Sequence, residues 1–138
     1  MRTDFQLLRR DIAALQDIAN AMSKAMSYEK RRLETSEMAF DATIRQVEVA
    51  GEAAKRLSDR IKEKYKTIDW KSLSGIRDKL IHQYDNVDGL ILWDTVKENF
   101  PVDHEKILKI IDEQINLFKQ LTQETTIEEP NKIKGPHW

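Results

Sequence analysis

The 138-residue chain carries 23 Lys and Arg against 24 Asp and Glu, a net charge of −1, so no overall positive field marks it as a nucleic-acid binder, and any such contact must come from a local patch. With 40% hydrophobic and 34% charged residues it suits one soluble domain with a single core, and having no cysteine it excludes disulfides and thiolate zinc sites, which points to a reducing, cytoplasmic setting. The longest apolar run, Leu90 to Trp93, is far below the roughly 20 residues a membrane span needs, and the charged start of the chain shows no secretory signal.

Four Gly and three Pro leave few breakers, which favours long helices. Phe5, Leu8, Ile12, Leu15, Ala19, Met22 and Met26 recur at steps of three and four, predicting a first helix capped by Asp4 or Thr3. The stretch from Tyr28 to Leu33 reads as a connection, and Thr35 or Ser36 then caps a second helix. Its buried face is Phe40, Ile44, Val47, Ala50, Ala54, Leu57 and Ile61. Gly51, inside that helix, costs about 1 kcal/mol relative to Ala and so implies close approach by a neighbouring backbone.

Asp69 is positioned to cap Trp70–Leu73, Ser74-Gly75 breaks the path, and Ile76 to Tyr84 forms a short helix with Ile76 and Leu80 inward. Residues 85–89 read as a turn. Leu90, Trp93, Val96 and Phe100 make the next stripe, which Pro101 is expected to interrupt. Asp103 then caps a last helix with Ile107, Ile111, Ile115, Phe118 and Leu121 inward. Residues 1–121 form the expected helical domain and 122–138 a tail. Four apolar stripes must bury one another, so the predicted fold is an all-α, four-helix up-down bundle.

The chemistry-bearing segment is Gly75-Ile76-Arg77-Asp78-Lys79-Leu80-Ile81-His82-Gln83-Tyr84. Spacing alone says little. Five helical steps turn about 500°, leaving Arg77 and His82 about 140° apart, so the two side chains do not meet within one helix. Asp78 and His82, four apart, can touch, and Asp78 would then fix the imidazole tautomer. On spacing alone, a partly buried helix-end histidine is the favoured reading of His82. Arg56, Arg60 and Lys64, at steps of four, make a basic stripe that either guides an RNA backbone or is simply a solvated face, and Lys79 adds a charge beside the motif. Glu48 and Glu52 have no His or Cys at ligand spacing, so no metal site is predicted. Trp70 and Trp93 read as core or interface.

This segment resembles the Arg-x4-His-x-Tyr motif of HepT-like proteins in the HEPN superfamily. The likeness extends to Ile44–Leu57, to Ile68-Asp69-Trp70 before the motif, and to Val87-Asp88 and Leu92-Trp93 after it, covering about residues 5–121. The residue after the arginine departs from the family's usual polar residue, often Asn, and an acid at Asp78 alters His82 basicity or weakens phosphate attraction.

The resemblance implies a HEPN-type bundle with a short motif-bearing helix, paired as a two-fold homodimer. It implies a cofactor-free, metal-independent endoribonuclease acting on tRNA or mRNA, in which His82 is general acid/base and Arg77 clamps phosphate, with Asp78 in support. Each motif offers one histidine, and a dimer would bring two copies into one cleft. It also implies the toxin half of a type VII HepT/MNT toxin–antitoxin pair, neutralised when an MNT-type nucleotidyltransferase antitoxin adenylylates Tyr84. The competing reading is a catalytically inactive HEPN dimer, serving as a binding module or as an accessory subunit of a nucleotidyltransferase.

Overall fold

The computed structural model describes residues 2–31, 36–82 and 89–125, and among them the secondary structure is entirely helical. The elements are α1 (Arg2–Lys30), α2 (Glu37–Lys55), α3 (Asp59–Lys64), α4 (Trp70–Ser74), α5 (Ile76–His82), α6 (Gly89–Asp94), a π-helical turn (Thr95–Asn99) and α7 (Phe100–Thr125). The all-α bundle expected from the apolar stripes is therefore present. Its long members are α1, α2 and α7, and α6, the π turn and α7 follow one another without a gap.

Helix α1 is the spine. It packs against both α2 and α7 and buries a face wider than one stripe: Leu15, Ile18 and Met22 are fully buried, with Ala14, Ala21 and Ala25 beside them. The alanines let two neighbours come close on either side. Helix α2 answers with Ala39, Val47, Ala50, Ala53 and Ala54. Ser58, just past the end of α2, donates to Asp11 in the first half of α1, so the two helices run antiparallel. Phe5 meets Phe118 edge-to-face with ring centroids 5.6 Å apart, which sets α7 antiparallel to α1 as well.

Several boundaries differ from the sequence expectation. Helix α1 continues through Tyr28 to Lys30. Ser36, of the two candidate caps, accepts from the Ala39 amide at 3.1 Å and starts α2. The predicted second helix does not run unbroken to Ile61. It turns at Arg56–Ser58, because the buried carboxylate of Asp11 on α1 captures the Ser58 amide at 2.9 Å and the Ser58 hydroxyl at 2.6 Å. Those bonds satisfy Asp11 only if the chain leaves the helical path there. Leu57 and Ile61 are buried as expected, but on separate elements.

Pro101 does not interrupt the last helix either. It sits in the first turn of α7, and the Phe100 amide before it bonds back to the Thr95 carbonyl, the five-residue step of a π turn. That widened turn gives the ring, which lacks an N–H and crowds the preceding turn, a place in a continuous helix. Asp103 consequently lies within α7 and does not cap it. In α6 the register differs from the predicted stripe: Leu92 is fully buried, Trp93 only partly, and Leu90 is 74% exposed. Val96, Phe100, Ile107 and Ile111 are buried as predicted, and α7 extends to Thr125.

Candidate active site

The motif helix is positioned by a glycine. A Cβ on Gly51 of α2 would stand 3.2 Å from the Leu73 carbonyl oxygen and 3.5 Å from that of Ser74. Only a bare Cα lets the end of α4 lie this close to α2 without displacement. Asp69 starts α4, its carboxylate accepting from the Ser72 amide at 3.0 Å and the Ser72 hydroxyl at 2.8 Å. Trp70 and Leu73 are buried and fix the helix to the core. The Trp70 Nε1–H donates to the Tyr65 carbonyl at 2.8 Å, joining α4 to the end of α3. Gly75 then links α4 to the seven-residue α5.

One turn before Gly51 on the same face of α2 is Glu48. Arg77, the second residue of α5, donates through Nε to Glu48 Oε2 at 3.0 Å. Arg45 Nη1 lies 3.9 Å from the other Glu48 oxygen, and Asp78 Oδ1 lies 3.7 Å from Arg77 Nη1. The Arg77 side chain is 45% exposed. One edge of its guanidinium is thus oriented by the fold while the side chain remains open to solvent, the arrangement suited to receiving an anion with two aligned donors. Glu48 is the residue that sequence reasoning missed. As a carboxylate with no His or Cys at ligand spacing it suggests no site, although its three-residue spacing from Gly51 marks it as facing the same neighbour.

His82 closes α5. Its side chain, Tyr84 and the predicted turn at 85–88 lie outside what the structure describes, so the suggested Asp78–His82 contact lies outside it too. The exposed Lys79 borders a groove of about 470 Å³ between α5 and the π turn, together with Ile76, Ile91, Thr95 and Asp103. Arg56, Arg60 and Lys64 do not form one helical stripe, because the turn at Arg56–Ser58 separates them. Arg56 pairs with Asp17 at 2.6 Å, and Arg60 with the buried Asp11 at 3.0 Å. Lys64 Nζ sits 5.6 Å from the centroid of the Tyr65 ring. Glu52 is exposed and pairs with Lys55 at 3.5 Å.

Around this site three groups titrate away from their usual ranges. Asp69 is held below the ordinary carboxylate value by the Ser72 amide and hydroxyl. Asp103 is raised by burial, with Lys106 opposing and Asp69 reinforcing the shift. Tyr65 is raised by burial and by donating to Glu113 Oε1 at 2.7 Å.

Residues 12–110 match the family described as "HepT-like: Ribonuclease HepT-like". The chain is 39% identical over 116 residues to "Putative RNase MJ0125" of Methanocaldococcus jannaschii, an alignment spanning 82% of this chain and 98% of that protein. It is 42% identical over 113 residues to "Putative RNase MJ1216" of the same organism, spanning 75% and 93%. To "Probable ribonuclease HepT" of Thermococcus cleftensis it is 36% identical over 97 residues, spanning 63% and 83%. No solved structure gives a significant match.

Proposed function

The chain belongs to the ribonuclease HepT-like family, and from that premise we propose that it is a toxin-type endoribonuclease whose active site is built from Arg77 and His82 of two paired chains. The observation that carries this reading is Arg77 itself. It lies within the matched region, is oriented through Nε by Glu48, and keeps 45% of its side chain exposed on the helix that His82 closes.

The chemistry follows from the side chains. The RNA 2′-oxygen attacks the adjacent phosphorus while the bond from phosphorus to the 5′-oxygen breaks, leaving a 2′,3′-cyclic phosphate and a 5′-hydroxyl. One imidazole accepts the 2′-hydroxyl proton and one imidazolium gives a proton to the departing 5′-oxygen, roles that a group with an ordinary pKa of about 6.5 fills at neutral pH. Arg77 receives the charge that develops on the phosphorane oxygens. A two-fold dimer supplies the second imidazole and relieves the angular separation of Arg77 and His82 on a single helix. Lys79, and at the periphery Lys64, contact the RNA backbone, whereas Arg56 and Arg60 are already paired with Asp17 and Asp11.

Tyr84, two residues beyond His82, is the modification site in this reading. An AMP group attached there by an MNT-type nucleotidyltransferase antitoxin adds bulk and negative charge where the substrate phosphate binds. The protein is then the toxin of a type VII pair acting on tRNA or mRNA in the cytoplasm.

The test is RNA cleavage in EDTA by the wild type, Arg77→Ala and His82→Ala. The expected result is cleavage by the wild type, giving cyclic-phosphate and 5′-hydroxyl ends, and a loss of at least about 100-fold in His82→Ala. Full activity in His82→Ala refutes the assignment. The two carboxylates already beside Arg77, Glu48 at 3.0 Å and Asp78 at 3.7 Å, favour one second reading, an inactive HEPN dimer acting as a binding module or nucleotidyltransferase subunit. In that case the wild type leaves RNA intact, while intact mass after co-expression with a nucleotidyltransferase still shows an adduct on Tyr84.

A further inference from the structure

Between α2, α3 and α4 lies an open groove of about 800 Å³. Lys55, Lys62, Lys66 and Lys71 line it, and among the described residues that line it Asp69 is the one carboxylate. In a chain whose net charge is −1 this is a local concentration of positive charge. The one acid is already engaged, since Asp69 accepts both Ser72 donors as the cap of α4. Lys55 is shared with Glu52 at 3.5 Å, so Lys62, Lys66 and Lys71 carry most of the field. The floor is formed by Trp70 and Ile68, which are only 6% and 3% exposed. The groove therefore offers cations without a stacking platform or an apolar anchor. It also continues toward the motif: Asp69 and Lys71 border both it and the neighbouring groove lined by Ile76 and Lys79 of α5.

Resting on the ribonuclease reading above, we infer that this lysine groove is where the RNA strand outside the scissile step is held, by its phosphates alone. Phosphate contacts position a strand without reading its sequence, and lysine serves as a mobile point charge for that purpose. A protein partner would need a buried aromatic or aliphatic anchor to bind well, and the apolar residues at this floor are covered. Strand binding here is thus electrostatic, independent of sequence and sensitive to salt. It supplies from one groove the positive patch that the overall composition lacks. Arg56 and Arg60, the cations the sequence singles out, are by contrast committed to Asp17 and Asp11.

The experiment measures binding of a fluorescein-labelled single-stranded RNA of mixed sequence by anisotropy across a salt series. It is done in the His82→Ala background so that the probe stays whole. Three proteins are compared: that background alone, with Lys62, Lys66 and Lys71 changed to Gln, and with the same three changed to Arg. Each phosphate neutralised on a single strand contributes about 0.7 to the slope of log affinity against log salt. The Gln set is expected to bind at least about tenfold more weakly at low salt, with a slope shallower by about 2, and the Arg set to bind like the parent. A labelled RNA of the same length and a different sequence is expected to bind with an affinity within about twofold of the first.

Unchanged affinity and slope in the Gln set overturn the inference, as does weak binding by the Arg set, a preference of about tenfold between the two sequences, or binding of polyglutamate with none of RNA, which would make the groove a site for acidic protein. Absence of RNA binding in the parent overturns it as well. The outcome is separable from the nuclease reading: groove-dependent binding by a chain that never cleaves RNA removes the catalytic proposal and leaves the groove standing. Cleavage with groove-independent binding does the reverse.

Discussion

Arg77 meets two carboxylates before it meets any phosphate. Glu48 takes its Nε and fixes its direction; Asp78, on the next residue, lies 3.7 Å from Nη1 and faces solvent more than Glu48 does, at 57% against 25%. A carboxylate that exposed contributes little to stability, yet it stands where an incoming phosphate would feel it. Asp78→Asn is therefore expected to raise RNA cleavage several-fold at low salt while leaving the melting temperature within about 2 °C; kcat/KM beside a thermal melt checks both. Two nearby aspartates give opposite pH effects. Asp69 has its folded value lowered by the Ser72 donors, so its contribution is present above the usual carboxylate range and lost as pH falls through the lower folded value. Asp103 has its folded value raised by burial, so it favours the fold in acid and loses that contribution as pH rises through the raised value. Asp69→Asn is expected to flatten the acid loss of stability. Asp103→Asn is expected to gain less than about 1 kcal/mol at pH 7, after allowance for solvent screening, and nothing at pH 3, in denaturant melts at the two pH values.

Helices announced themselves in the sequence where one face meets one partner, and less well where a side chain from elsewhere intervenes. The long helices, the Ser36 and Asp69 caps and the meaning of Gly51 were legible from periodicity and local chemistry. The turn at Arg56–Ser58 was not, because its cause is Asp11, 47 residues away. The passage through Pro101 was hidden for a similar reason: a π turn leaves no residue signature, and only the Phe100-to-Thr95 bond reveals it. Of the site, the motif was legible through its likeness to a family, whereas Glu48 emerged only when Gly51 brought α4 and α5 onto α2. That dependence is testable. Gly51→Val puts a branched side chain against the Leu73 carbonyl, where even a Cβ would be 3.2 Å away. It is expected to destabilise the fold by about 1–3 kcal/mol. Because it pushes the α4–α5 corner off Glu48, it is also expected to lower cleavage at least tenfold at a temperature where circular dichroism shows the variant still folded.

Across the whole molecule, charge and apolar surface are unevenly placed. Lysines gather along α3 and α4 beside the motif, while Met38 and Leu90 are 82% and 74% exposed. They belong to the end where Phe40 of α2 approaches Gly89 at the start of α6. The proposed function requires a second copy of the chain. A single chain has one motif histidine, and the proposed cleavage step uses two. Subunit mixing tests it most directly. Wild-type and His82→Ala chains are co-expressed at known ratios, purified together, and assayed for RNA cleavage against the wild-type fraction. Activity proportional to the square of that fraction is the expected result, because only dimers with two intact imidazoles cleave. A linear dependence, or cleavage sustained by His82→Ala alone, would contradict a shared two-chain site.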